Sequence, residues 1–475
     1  MAEILTPDIC VIGAGSGGLT TAAAAAAFGV PVVLVERGKM GGDCLNYGCV
    51  PSKALIAAGK HAAAIREAPA FGVSAGDPLI DFPAVKDHVD AVIAAIAPND
   101  SVERFEGLGV TVIKADATFV DPKTISAGGQ FIRPRRFVIA TGSSALVPPI
   151  DGIAATPYLT NETIFGLRER PDHLLIVGGG PIGMEMAQAH RRLGSRVTVV
   201  EGSKALGRDD PELTEVALAA LRRDGVTIME NTEVVRAEGN DGAIRLTIAP
   251  ADGDRRTLDG SHLLLAVGRS PNLDGLGLEA AGIAYDKRGI TVGADLRTSN
   301  RRAYAIGDIA GGPQFTHVAN YHAGLVMRAL LFRLPVRTNH DILPHVTFTD
   351  PEVGQVGLTE AQAKERGLTV DILRWPYAEN DRAQAERRTE GLVKLVVGRR
   401  GKIVGAGVAG AQAGEITNLL SLVVSRGLTV AALRDFVSPY PTLSEIGKRA
   451  ATAYYQPYTR RPLVRRAVAF LQRFG

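Results

Sequence analysis

Cysteine is nearly absent from this chain: there are 3 in 475 residues. That excludes the framework of stapling disulfides that small secreted domains need. Aromatic residues are also few, at 5%, with a single tryptophan. No apolar run reaches the length of a membrane-spanning helix. The net charge is only +3, too small to imply a nucleic-acid partner. Met1–Pro7 has no basic, apolar leader and runs straight into a strand, so a cytoplasmic location is expected. With 46% hydrophobic and 22% charged residues, the composition is that of a soluble globular protein. The length exceeds one ordinary core and predicts three or four domains.

Glycine, by contrast, is abundant at 54 residues, as tight turns and phosphate loops require. An internal echo organises it. Ile9-Cys10-Val11-Ile12 reads as a buried strand and leads into Gly13-Ala14-Gly15-Ser16-Gly17-Gly18. An alanine-rich helix runs from there to Phe28 and stops at Gly29; the strand Val32–Val35 then ends in Glu36. Later, Leu175–Val177 leads into Gly178-Gly179-Gly180-Pro181-Ile182-Gly183. A helix runs to Leu193 and stops at Gly194, and the strand Val197–Val200 ends in Glu201. In both units the acid stands 18 residues beyond the last fingerprint glycine. One G-x-G-x-x-G is a weak signal, but two in the same register predict two dinucleotide sites. Gly13, Gly15, Gly18 and Gly178, Gly180, Gly183 let the backbone approach a pyrophosphate at a helix N-terminus. Glu36 and Glu201 then accept hydrogen bonds from ribose hydroxyls. At the second site an acid favours NADH over NADPH, although Lys204 and Arg208 are near enough in sequence to reach a 2′-phosphate.

Just downstream of the first fingerprint lies Gly41-Gly42-Asp43-Cys44-Leu45-Asn46-Tyr47-Gly48-Cys49-Val50-Pro51-Ser52-Lys53, with two of the three cysteines. Four residues separate them, a spacing read as one turn of helix on which the sulfurs meet and form a disulfide. The alternative is two core thiols that never pair. Cys10, in a buried strand, is read as a small hydrophobe. With a dithiol between the two fingerprints, FAD at the first and a nicotinamide at the second is the economical assignment.

This run closely resembles the active-site motif of the flavoprotein disulfide reductases, the family of dihydrolipoamide dehydrogenase, glutathione reductase and mercuric reductase. The resemblance covers about residues 6 to 456. It implies an α/β fold of two Rossmann-like FAD/NAD(P)-binding domains with a C-terminal α+β dimerisation domain. The corresponding boundaries are 1–151 (FAD, first part), 152–271 (NAD(P)), 272–341 (FAD, second part), 342–458 (interface) and 459–475 (tail). In the interface part, 346–354 and 391–397 read as antiparallel strands, and 414–427 and 443–455 as helices. The resemblance implies a homodimer whose active site is shared between subunits. NAD(P)H reduces the flavin and the flavin reduces the Cys44–Cys49 disulfide. Cys49 lies against the flavin as the thiolate, and Cys44 exchanges with substrate. Lys53 sits beside the flavin, paired with Glu185. Gly42, Gly142 and Gly268 join the cofactor contacts, and Asp308 binds the ribitol chain.

Two departures bear on the acceptor. Disulfide reductases of the lipoamide and glutathione type carry His-Pro-Thr-x-x-Glu near the C-terminus, where the histidine is the acid–base group. Here Tyr440-Pro441-Thr442-Leu443-Ser444-Glu445 keeps the glutamate and replaces the histidine. Tyrosine titrates near ~10 against ~6.5 for histidine and does not take up a thiol proton at neutral pH. Tyrosine here resembles mercuric reductases, but this chain ends in Leu471-Gln472-Arg473-Phe474-Gly475 without their cysteine pair. His317 and His322, five apart, read as packed against cofactor or interface rather than as metal ligands; no metal site is expected. The second departure is the tail. Leu463, Val464, Ala467, Val468, Phe470, Leu471 and Phe474 share one helical face, and Arg465, Arg466 and Arg473 take the other. Such a helix covers its own dimer or lies on an anionic membrane surface.

The expectation is therefore an FAD enzyme that passes electrons from NADH, or alternatively NADPH, through Cys44–Cys49 to a small-molecule or protein disulfide or another soft acceptor. The rivals are a mercuric or metal-ion reductase, a diaphorase or transhydrogenase with incidental thiols, and a redox-sensing partner-binding flavoprotein.

Overall fold

The computed structural model describes residues 4–474. Met1–Glu3 of the N-terminal stretch and Gly475 of the tail lie outside them. The chain divides into two compact units: 1–179, 189–202 and 231–338 form the first, and 180–188, 203–230 and 339–475 the second.

The first unit is built on a five-stranded parallel sheet in the order Ala303–Ala305, Arg136–Ile139, Ile9–Ile12, Val32–Val35, Val110–Ile113. Its central strands are continuous apolar runs because both faces are covered. Along Ile9–Ile12 the alternation is plain: Ile9 and Val11 join one buried cluster with Leu34 and Val138, and Cys10 and Ile12 join another with Phe137 and Ile139. A fully buried side chain of this size contributes about 1.5–3 kcal/mol. Cys10 is buried, and burial pushes its thiol far above the ordinary range. It is a core residue, as the sequence suggests. The helix Ser16–Ala27 covers one face together with Thr316–Phe332; Leu19, Ala22 and Ala25 share that cluster with Ala323, Val326 and Leu330. The repeat of this architecture places His173–Val177 between Arg196–Val200 and His262–Leu265, parallel to both. The helix Pro181–Arg192 follows its first strand.

The second unit contains a five-stranded antiparallel sheet in the order His345–Thr347, Glu352–Gly357, Ile403–Gly410, Leu392–Val397, Asp371–Pro376. The helices Ala413–Ser425 and Glu445–Ala453 bury Ile416, Leu420, Ile446 and Ala450 with Val393, Leu395 and Val408. The segment 346–354, expected as one strand, forms two, His345–Thr347 and Glu352–Gly357, paired antiparallel across a turn. Leu392–Val397 and the two helices lie near their expected ranges, with one further short helix, Val430–Asp435, between those helices.

One buried cation organises this unit. Lys394 Nζ donates to Asp210 Oδ2 at 2.7 Å, and lies 3.0 Å from Glu212 Oε2 and 3.1 Å from Glu360 Oε2, with the lysine side chain 6% exposed. Arg374 also pairs with Glu212 and Glu360. Lys364 and Lys394 together hold the Glu360 carboxyl at about 2, below its ordinary 4.5. The stability Glu360 contributes is therefore complete above pH 4.5 and is lost as pH falls through about 2. Removing the cation leaves three carboxylates facing one another. Lys394→Ala is expected to cost about 3–5 kcal/mol, read as a lower midpoint in urea unfolding at pH 7.

Candidate functional site

The first phosphate loop is shaped by its glycines. Gly13 has φ +104°, and a side chain there would meet the Ala140 carbonyl oxygen at 2.4 Å. A Cβ on Gly18 would lie 1.8 Å from the Gly13 carbonyl oxygen, so glycine lets helix and strand touch. Above Gly15 there is open space, and the helix that follows has no side-chain cap. Its first N–H groups point at that opening. This arrangement fits a dinucleotide pyrophosphate. The second loop repeats the design: Gly178 has φ +111° with the Ala266 carbonyl oxygen 2.4 Å from its would-be Cβ, and Gly180 faces open space. Gly183 lies in the first turn of the helix Pro181–Arg192.

The two acids carry out a task that sequence alone does not reveal. Glu36 Oε2 accepts from the Ala14 N–H at 2.6 Å and Oε1 from the Gly38 N–H at 2.5 Å. Glu201 Oε2 accepts from the Gly179 N–H at 2.7 Å. Each carboxylate braces the residue just after the first glycine of its own loop.

The dithiol segment packs on the first loop. Gly41 N–H donates to the Ala14 carbonyl at 3.0 Å. Gly42, at φ +57°, has the Gly15 Cα only 2.7 Å from its would-be Cβ. The cysteines do not share one helical turn, which corrects the sequence expectation. Cys44 lies in the short helix Gly42–Asn46, and Cys49 opens a second helix, Cys49–Glu67. Tyr47 (φ −143°, ψ 0°) and Gly48 (φ −127°, ψ −111°) break the chain between them. In an unbroken helix, residues five apart point about 140° away from each other. The break turns the two sulfurs toward each other, near enough that each thiol shifts the acidity of the other.

The pair is electrically unequal. Cys49 is pushed down to about 6, first by the hydrogen bond from the Cys44 thiol, then by Thr316 and the Lys53 charge, against burial and Asp43. Thr316 Oγ1 lies 3.3 Å from Cys49 Sγ. Cys44, which holds the shared proton, is pushed far above the ordinary thiol range by that same bond and by burial. At neutral pH Cys49 is the thiolate and Cys44 the thiol.

The other predicted residues fall as follows. Asp308 lies in the turn Gly307–Ala310 and accepts from Ser143 Oγ at 2.6 Å; burial raises its carboxyl, opposed by Ser143 and Arg269. Gly142 (φ +67°) and Gly268 (φ +130°) both face open space. Glu185, in the second unit, is buried and accepts from the Phe348 N–H at 2.9 Å. Tyr440 is 68% exposed and donates to Asp381 Oδ2 at 2.7 Å, a bond that raises its phenol above the ordinary value. Glu445 begins the helix Glu445–Ala453 and pairs with Arg449 at 3.0 Å. His317 stacks on Phe315 at 5.3 Å, and buried His322 accepts from the Gly307 N–H through Nδ1 at 3.2 Å. His322 is thus a packed group, whereas His317, stacked on Phe315, is exposed. Among the described residues no group of three or more His, Cys, Asp or Glu is placed to hold a metal ion. The tail helix Pro462–Leu471 leaves Leu463, Phe470, Leu471 and Phe474 exposed, so its own chain does not cover that face. Among the described residues no helix is long and apolar enough to cross a membrane.

Sequence reasoning missed Thr316, Asn161 and the pairing of Asp43 with Arg269. Asp43, Arg269 and Thr316 all sit inside conspicuous segments, but their partners are set by the fold; Asn161 carries no signal at all.

Two family models match the chain: pyridine nucleotide-disulphide oxidoreductase over residues 7–323, and the dimerisation domain of that family over 343–451. The chain belongs to the pyridine nucleotide-disulphide oxidoreductase family. It is 38% identical to a mercuric reductase of Streptomyces lividans, covering 94% of this chain and 96% of that protein. It is 35% identical to a dihydrolipoyl dehydrogenase of Geobacillus stearothermophilus, covering 94% and 95%. Among solved structures, the Cu(II) complex of the HOCl-induced flavoprotein disulfide reductase RclA from Escherichia coli matches with a TM-score of 0.83 at 28% identity, covering 94% of this chain and 99% of that one. The chain is accordingly an FAD-dependent oxidoreductase that uses NAD(P)H, with the mixed α/β fold expected from its sequence. The dimerisation domain supports a homodimer.

If Thr316 helps to hold the Cys49 thiolate, Thr316→Val raises the pH at which Cys49 ionises. The check is the pH dependence of Cys49 alkylation in the reduced protein, whose midpoint moves upward from about 6.

Proposed function

We propose that Cys44 and Cys49 carry the electrons of this oxidoreductase to a disulfide or another soft acceptor, with NADH as the donor. The observation that carries this reading is the chain break that sets Cys44 and Cys49 on two successive helices, Cys49 Sγ 3.3 Å from Thr316 Oγ1, beside a loop that fits a dinucleotide. When bound, FAD supplies two-electron transfer from the nicotinamide to the Cys44–Cys49 disulfide. The fingerprint residues from Gly13 to Gly18, with Glu36, Gly42, Gly142 and Asp308, hold it. Gly178, Gly180, Gly183, Glu201 and Gly268 serve the nicotinamide nucleotide, and the Glu201 carboxylate repels a 2′-phosphate.

The chain's own chemistry then runs through the thiol–thiolate bond. The Cys44 proton passes to Cys49, which makes the Cys44 sulfur the nucleophile. Cys44 attacks an acceptor disulfide, forms a mixed disulfide and releases one thiolate, which takes the proton from Cys49. The Cys49 thiolate attacks Cys44, expels the second thiolate and closes the Cys44–Cys49 bond. Lys53 supplies positive charge beside Cys49 throughout. In the homodimer, Tyr440 and Glu445 complete the site from the other subunit, with tyrosine where an acid–base histidine would serve. The cytoplasm is the proposed location, since a working dithiol belongs where thiols are kept reduced.

Tyr440 also favours a second reading. A phenol hydrogen-bonded to Asp381 takes up no thiol proton at neutral pH. A soft metal cation binds a thiolate pair without that proton transfer, and metal-ion reduction is the alternative activity.

Cys49→Ser is expected to abolish acceptor reduction while NADH still reduces the bound flavin; acceptor turnover that survives in this variant contradicts the proposal. Tyr440→His is expected to raise lipoamide or glutathione-disulfide turnover by about 10–100-fold, short of the 10²–10⁴-fold range of an aligned acid–base group. Steady-state rates on the FAD-replete dimer check this, with NADH oxidation driven by soft metal ions as the comparison.

A further inference from the structure

The residue before Cys44 is a carboxylate, and it is fastened on two sides. Asp43 Oδ1 accepts from Asn161 Nδ2 at 2.8 Å and lies 3.0 Å from Arg269 Nη2. The same Asn161 Nδ2 reaches the Tyr47 carbonyl at 3.2 Å, so one amide holds both the carboxylate and the end of the short Cys44 helix. The Arg269 side chain is 12% exposed; it also donates to Ser143 Oγ at 2.8 Å and to the Ser143 carbonyl at 2.7 Å. Ser143 in turn donates to Asp308. Gly48, at the break, is where a side chain would come 2.8 Å from Asp43 Oδ2. The break between the cysteines thus closes around this carboxylate.

We propose that Asp43 is a positioning residue of the redox pair: held by Asn161 and Arg269, it keeps the Cys44 helix in register with Cys49 and places a fixed negative charge beside both sulfurs. The inference rests on the reading of Cys44–Cys49 as the working pair. Asp43 and Lys53 are the charged groups that act on the thiols, with opposite signs; Arg269 and Asp308 face Asp43 in turn. The carboxylate opposes ionisation of the pair, and the anchor preserves the Cys44 hydrogen bond that favours it. Charge and anchor are therefore separable by mutation. Asp43→Asn keeps an oxygen for Asn161 and Arg269 and removes the charge. Asn161→Ala keeps the charge and releases the helix.

The test is the pH profile of iodoacetamide labelling at Cys49, read by mass spectrometry on full-length FAD-loaded protein reduced with dithiothreitol. No acceptor or turnover is involved, so the result is independent of the Cys49→Ser experiment. Asp43→Asn is expected to move the Cys49 midpoint down by about half a unit, which is about threefold more thiolate at a pH below it. Asn161→Ala is expected to move the midpoint up, toward the ordinary thiol value. Any other pattern, including unchanged profiles in both variants, overturns the proposal. Should Asp43→Asn fail to fold, the upward shift in Asn161→Ala decides alone.

Discussion

A single helix running through Cys44 and Cys49 would carry their sulfurs to different sides. The proposed chemistry of this protein depends on a break between them. Tyr47 and Gly48 supply it, and the second helix then starts at Cys49 itself. That start places the sulfur where helix N–H groups favour negative charge, one turn before Lys53. The Cys44 proton, shared across the contact, completes the asymmetry. Two chemically identical side chains thereby acquire different acidities from their surroundings.

The rest of the first unit keeps that contact next to a nucleotide cradle. Glycines at 13, 15 and 42 allow the phosphate loop and the dithiol segment to approach at backbone distance. Glu36 ties down the loop that the cofactor must meet, and Glu201 does the same at the second cradle. Pre-ordered loops of this kind cost less to order when ligand binds. Tyrosine at position 440 offers no proton acceptor of neutral acidity, and under the proposed function this moves weight toward acceptors that need no such group.

Much of this was legible in the sequence. The glycines at 13, 15 and 18 and at 178, 180 and 183 were recognisable because close backbone approach leaves little choice of residue. The acids at 36 and 201 were legible as strand ends, but their bracing of the loops was not, since it depends on side-chain direction. The cysteine spacing was read as a single turn although Gly48 stands between the cysteines; Gly48 and the backbone angles at Tyr47, a residue type that does not announce a break, make it together. Arg269 and Asp43 lie more than two hundred positions apart, and only the ribbon pairing Arg269–Pro271 with Ser143–Ala145 brings the arginine to the loop. The amphipathic pattern of the tail was clear, yet a pattern does not say what covers it.

The central claim is that electrons from the nicotinamide leave through these two sulfurs. Its most direct measurement is anaerobic titration of oxidised, FAD-loaded protein with NADH, followed by alkylation and a mass-spectrometric count of modified cysteines. The account predicts that Cys44 and Cys49 gain label together as NADH is consumed, while buried Cys10 does not. Consumption of NADH with both cysteines still unlabelled and linked would contradict it.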